Sequence, residues 1–110
     1  MENEICTSPY QSIMLKEAGV NTYTADMLYS LDDDEIYIRH KFTNIDRFHL
    51  PIWSLGALLS ILHDYTLQTT TDGKVFVVCD KKKPVISDVY DSPIDACVNT
   101  IIRLKEMKLI

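Results

Sequence analysis

Hydrophobic positions recur most regularly at the end of the chain. Over residues 92–110 (SPIDACVNTIIRLKEMKLI), Ile94, Cys97, Val98, Ile101, Leu104 and Met107 follow the three-and-four spacing of one helical face, and Asp95, Asn99, Arg103 and Glu106 follow the opposite one. Ser92 suits the N-cap, Pro93 the first helical position, and Asp95 the reciprocal partner of a capping box at the positive end of the dipole. The pattern predicts an amphipathic helix on which the other elements pack. The same start recurs at Ser8-Pro9 with Gln11 as box partner, which predicts a helix over 9–18 ended by Gly19. Its apolar side is Tyr10, Ile13, Met14 and Ala18, and its wet side Gln11, Ser12 and Lys16.

Between these helices the period shortens. Residues 20–26 read as a connection, and 27–31 and 35–42 as strands joined by a three-residue turn of Asp32, Asp33 and Asp34. In the second strand Ile36, Ile38, His40 and Phe42 alternate with Tyr37, Arg39 and Lys41, as in a strand with one wet side. Residues 43–51 lack periodicity and read as loop. Ser54 caps a short helix in which Leu55, Leu58, Leu59 and Leu62 turn inward. Asp72-Gly73 then predicts a two-residue type I′ hairpin turn with Thr71 opposite Lys74. That register places Leu67, Thr69, Phe76 and Val78 on one face, and Thr66, Gln68, Thr70, Val75, Val77 and Cys79 on the other. The second strand is apolar on both sides and calls for a further neighbour, which residues 84–89 supply.

Length and composition narrow the class. The chain has 110 residues, 46% hydrophobic and 25% charged, the balance of an ordinary globular domain able to bury one core. The expected fold is a single α+β domain over 1–110, an antiparallel sheet of about four to five strands packed with about three helices. The longest mainly apolar run, 50–62, is too short for a membrane span, and the acidic N-terminus is unlike a signal peptide, so a cytoplasmic protein with no membrane partner is expected. A net charge of −5 disfavours nucleic acid as a partner. Cys6, Cys79 and Cys97 form no C-x-x-C pair and read as small apolar residues in a reducing compartment.

Candidate chemistry is sparse. His40, His49 and His63 lack metal-ligand spacing, and the run from Asp32 to Glu35 lacks the alternating ligands and glycine of a calcium loop and reads as a solvated turn. Lys81 to Lys83 read as a solubilising turn. No phosphate loop or nucleophile elbow is present, so no cofactor, metal or catalytic residue is assigned. Tyr, Trp and Arg dominate binding hot spots, which makes Tyr29, Tyr37 and Arg39 the candidate protein-binding residues; Trp53 reads first as core.

Three stretches, SIMLKEAGVNTYTADM, LPIWSLGALLSIL and DSPIDACVNTIIRLKEMKLI, resemble a group of small uncharacterised proteins from Bacteroidetes genomes and their phages and prophages. The shared features are Thr24 to Met27, Pro51 to Leu55 and Pro93 to Cys97. The resemblance implies a mobile-element origin and assigns no activity. The expected function is therefore a non-enzymatic interaction or accessory protein of a phage or mobile element with an unknown protein partner. The alternative is a small hydrolase or transferase with a histidine-containing site, and a third reading is a homodimer through the sheet edge or the last helix.

Overall fold

The computed structural model describes residues 5–38, 49–79 and 88–110, and within them a serine starts each α-helix. The hydroxyls of Ser8, Ser54 and Ser92 accept from the backbone N–H of Gln11, Ala57 and Asp95, starting α1 (Pro9–Glu17), α2 (Leu55–Ile61) and α3 (Pro93–Glu106). At α1 the box is complete, because the Gln11 side chain accepts from the Ser8 N–H at 2.9 Å. At α3 the expected reciprocal partner is used elsewhere. The Gln11 amide donates to the Asp95 carboxylate at 2.7 Å, so one glutamine closes the first turn of α1 and ties it to the first turn of α3.

Five strands are present among the described residues. Met27–Ser30 (β1), Glu35–Ile38 (β2) and His49–Ile52 (β3) form one antiparallel sheet in the order β2-β1-β3, and Tyr65–Thr69 (β4) and Val75–Cys79 (β5) form a second, antiparallel pair. The architecture is α+β, with two small sheets in place of the single one expected. β3 falls where a loop was anticipated. Pro51 cannot donate to a ladder, but β3 is an edge strand, where proline is tolerated.

The distal hairpin also departs from expectation. Thr69 pairs with Val75 and Leu67 with Val77, one residue out of the anticipated register. The Gly73 N–H donates to the Thr70 carbonyl at 3.1 Å, the Thr70 N–H donates to the Lys74 carbonyl at 2.8 Å, and only Gly73 of the loop has positive φ, at 86°. This is a three-residue loop, a type I turn followed by a left-handed glycine, rather than the type I′ turn that Asp72-Gly73 suggested. Its consequence is that Leu67, Val75 and Val77 share a face, and Val75 and Val77 are buried. β5 gains its second neighbour from Tyr90, which exchanges two backbone hydrogen bonds with Val75. Of the anticipated strand 84–89, residues 84–87 lie outside the described set and Asp88 and Val89 are not in a strand.

One cluster of buried apolar residues runs through the molecule: Leu15 from α1, Trp53, Leu58 and Leu62 around α2, Val75 and Val77 from β5, and Ile94, Cys97, Val98, Ile101 and Leu104 from α3. The inward stripe of α3 is the predicted one, widened by Ala96 and Thr100. Each fully buried isoleucine or leucine in it contributes about 2 kcal/mol relative to exposure. The helix is shorter than the stretch 92–110. Lys108 takes φ of 57° and the Leu109 N–H returns to the Leu104 carbonyl, a left-handed closure that leaves Met107 exposed.

α1 is rotated from its expected orientation. Ser12 and Leu15 are the buried residues, Met14 and Ala18 are half-buried, and Tyr10 and Ile13 are exposed, Tyr10 at 72%. The cause is polar: the Ser12 and Thr7 hydroxyls lie 2.7 Å apart in the interior, where each needs a partner, and this pair turns the serine side of the helix inward.

Cys97 is fully buried on α3, and burial pushes its thiol up to about 11. Cys97→Ala is expected to cost about 1 kcal/mol in urea unfolding, and Cys97→Asp several times more by stranding a charge. Rapid labelling of Cys97 by a thiol reagent in the native protein would contradict this placement.

Candidate functional site

Four carboxylates in succession cannot be buried together, so Asp32, Asp33, Asp34 and Glu35 stay in water and the chain reverses there. The loop between β1 and β2 comprises the four residues Leu31, Asp32, Asp33 and Asp34, one more than expected, because Leu31 leaves the strand. Asp34 adopts φ of 56°, a conformation that aspartate tolerates better than most residues, and its N–H donates to the Ser30 carbonyl at 2.9 Å. The Ser30 hydroxyl accepts from the Asp33 N–H at 3.3 Å.

Both candidate tyrosines serve this turn. Tyr29 donates its hydroxyl to the Asp34 carboxylate, while Tyr37 donates to Asp33 at 2.9 Å and lies 3.3 Å from Glu35. They approach from opposite sides. Leu28 pairs with Tyr37 and Tyr29 with Ile36, so the two tyrosines occupy opposite faces of the hairpin. The third candidate, Arg39, lies outside the described residues, as do His40 and Lys81 to Lys83.

The register also assembles a surface that the sequence did not single out. Ile38, Met27 and Ile52 form one cross-strand row, and Ile36, Tyr29 and Leu50 the next on the same face. This face is apolar throughout. Ile52 is buried, Met27, Tyr29 and Leu50 are half-buried, and Ile36 and Ile38 are exposed, Ile38 at 80%. The strand pattern marked Ile36 and Ile38 as inward residues. Among the described residues β2 pairs with β1 alone, which only the sheet order reveals, and all four of its residues are exposed.

The remaining candidates stand apart. Trp53 is core, fully buried, with its indole N–H donating to the Thr24 hydroxyl at 2.9 Å. His49 lies on β3 opposite Ser30, and His63 sits three-quarters exposed just beyond α2 with Nε2 3.4 Å from the Asp64 carboxylate. Among the described residues no three His, Cys, Asp or Glu side chains are grouped to hold a metal ion, and no helix is long and apolar enough to cross a membrane. The chain matches no family model, no curated protein and no solved structure.

The hydrogen bond to Asp33, reinforced by partial desolvation and by the charges of Asp33 and Glu35, pushes the Tyr37 phenol up from 10.0 to about 12. Asp34 raises Tyr29 in the same way. Folding raises the pKa of Tyr37, so its contribution to the hairpin is intact below the ordinary value of 10.0 and is lost as pH rises through about 12. A phenolate absorbance titration of the native protein is expected to show this late midpoint and to lose it in Tyr37→Phe. A Tyr37 midpoint at the ordinary value would show that the bond to Asp33 does not persist in solution.

Proposed function

We propose that this chain is a non-enzymatic interaction protein, an accessory factor of a phage or integrated element, whose contact surface is the β1–β2 hairpin. The observation that carries the reading is β2 itself: among the described residues it is an edge strand, with Ile36 and Ile38 exposed on one face and Tyr37 on the other. Exposed apolar surface of this kind marks interaction sites, and the turn-bound tyrosines give it a fixed frame. The resemblance to small phage and prophage proteins supports the accessory role. The alternative is a small hydrolase or transferase with a histidine-containing site; His63, three-quarters exposed beside the Asp64 carboxylate, does not add to it.

The test replaces Ile36 and Ile38 by lysine together, which leaves the buried cluster untouched. Immobilised wild-type protein is expected to retain a specific protein from host lysate that the doubly substituted protein, with the same melting temperature, does not retain. Identical retention by the two proteins would remove the hairpin from the contact surface.

A further inference from the structure

We infer that β2 pairs with β2 of a second copy of this chain, antiparallel and centred on Tyr37, so that the two three-stranded sheets join into one. The inference rests on the reading of the β1–β2 hairpin as the contact surface and names what fills its edge, while the joined apolar face stays open to a further partner. In an antiparallel sheet every second residue of a strand turns its N–H and C=O groups away from its neighbour, and among the described residues β2 pairs with β1 alone. Those groups are a template for a further strand, and Ile36, Tyr37 and Ile38 beside them are all exposed.

Charge selects the occupant. The chain runs through Asp32, Asp33, Asp34 and Glu35, then Ile36, Tyr37 and Ile38, then Arg39, His40 and Lys41. Acids at one end, bases at the other and an apolar centre make this stretch its own complement when two copies run in opposite directions, because each acidic end then meets a basic one. Arg39, His40 and Lys41 lie outside the described residues and enter by their charge and their order in the sequence alone. A foreign segment would have to reproduce that order, whereas a second copy already carries it.

Geometry then selects the register. Facing residues of an antiparallel pair turn their backbone groups either both toward one another or both away, so for two copies of one strand the numbers of facing residues add to an even total. Centring the pair on Ile36 sets Ile38 against Asp34, and centring it on Ile38 sets Ile36 against His40. Centring it on Tyr37 sets Ile36 against Ile38 on the face that carries Met27, Tyr29, Leu50 and Ile52, and Tyr37 against Tyr37 on the other. One step further in the same register Glu35 faces Arg39. This contact occurs twice about the two-fold axis, and the pairing uses up both β2 edges, so through β2 it closes at a dimer. A ladder of four β2 residues per copy is a small contact, and the dimer is therefore reversible.

The test is sedimentation equilibrium of the full chain, in which a dimer is expected to be populated at about 0.1 to 1 mM. Glu35→Lys and Arg39→Glu, each alone, set like charges against one another twice and are expected to weaken the dimer about tenfold. An equal mixture of these two variants has opposite charges at both contacts, so it is expected to recover the wild-type association, as is the chain that carries both substitutions. A chain that stays monomeric up to about 1 mM overturns the inference. So does a dimer that both single charge variants leave intact, or one that mixing them fails to restore. If the chain is monomeric but lysate capture still depends on Ile36 and Ile38, the second copy is overturned and the hairpin remains the contact surface. If the dimer responds to charge as expected while lysate capture ignores Ile36→Lys and Ile38→Lys, the second copy stands and the reading of a host partner on the hairpin falls.

Discussion

An indole sealed in an apolar interior must find a partner for its N–H, and most of this architecture follows from where Trp53 finds one. Its ring N–H donates to the Thr24 hydroxyl, which in turn donates to the Asn21 carbonyl at 2.6 Å, so the turn Thr22–Thr24 is held against the tryptophan. Its backbone N–H donates to the Thr7 hydroxyl at 3.1 Å, and its carbonyl accepts from the Thr7 N–H at 2.9 Å. Thr7 is itself bonded to Ser12, which sets the rotation of α1. Leaving one of the buried groups of Trp53, Thr7 or Ser12 without a partner costs about 1 to 3 kcal/mol, so the set acts together.

The neighbouring residue extends the joint. The Asp26 carboxylate accepts from both the backbone N–H and the hydroxyl of Ser54, the same hydroxyl that caps α2. Met27 then pairs with Ile52 as β1 begins. The stretches Thr24 to Met27 and Pro51 to Leu55 therefore meet one another in space. Their role in this chain is to join a small sheet to the helical core. One side of that sheet is fixed at β3 by the joint, and β2, two strands away, is left free of it. The exposed edge and its acidic turn are the outward consequence of an anchor placed at the other edge.

Local signals in the sequence were reliable where local physics decides the outcome. Serine followed by proline identified the starts of α1 and α3, Gly19 does end α1 with φ of 97°, and the apolar stripe of α3 is the buried one up to Leu104. Signals failed where a distant partner decides. Ser12 looks like a surface residue until Thr7 and Trp53 are placed beside it, and Asp95 looks like a capping partner until Gln11 reaches it from another helix. Pro51 argues against a strand unless the strand is known to be an edge. Asp72-Gly73 is compatible with two turn types, and a one-residue change of register separates them. Of the candidate site, Tyr29 and Tyr37 were identifiable by residue type, but their bonds to the turn and the exposure of Ile36 and Ile38 depend on sheet order, which no short-range pattern encodes.

The claim that Trp53 is the joint between the sheet and the helices is tested most directly by native-state hydrogen exchange at its two N–H groups. Both the indole and the backbone proton are expected to exchange as slowly as the amides of α3 around Ile101, through global unfolding alone. Exchange of the Trp53 indole proton by a local opening, while those α3 amides remain protected, would contradict it and show that the sheet parts from the helical core without unfolding it.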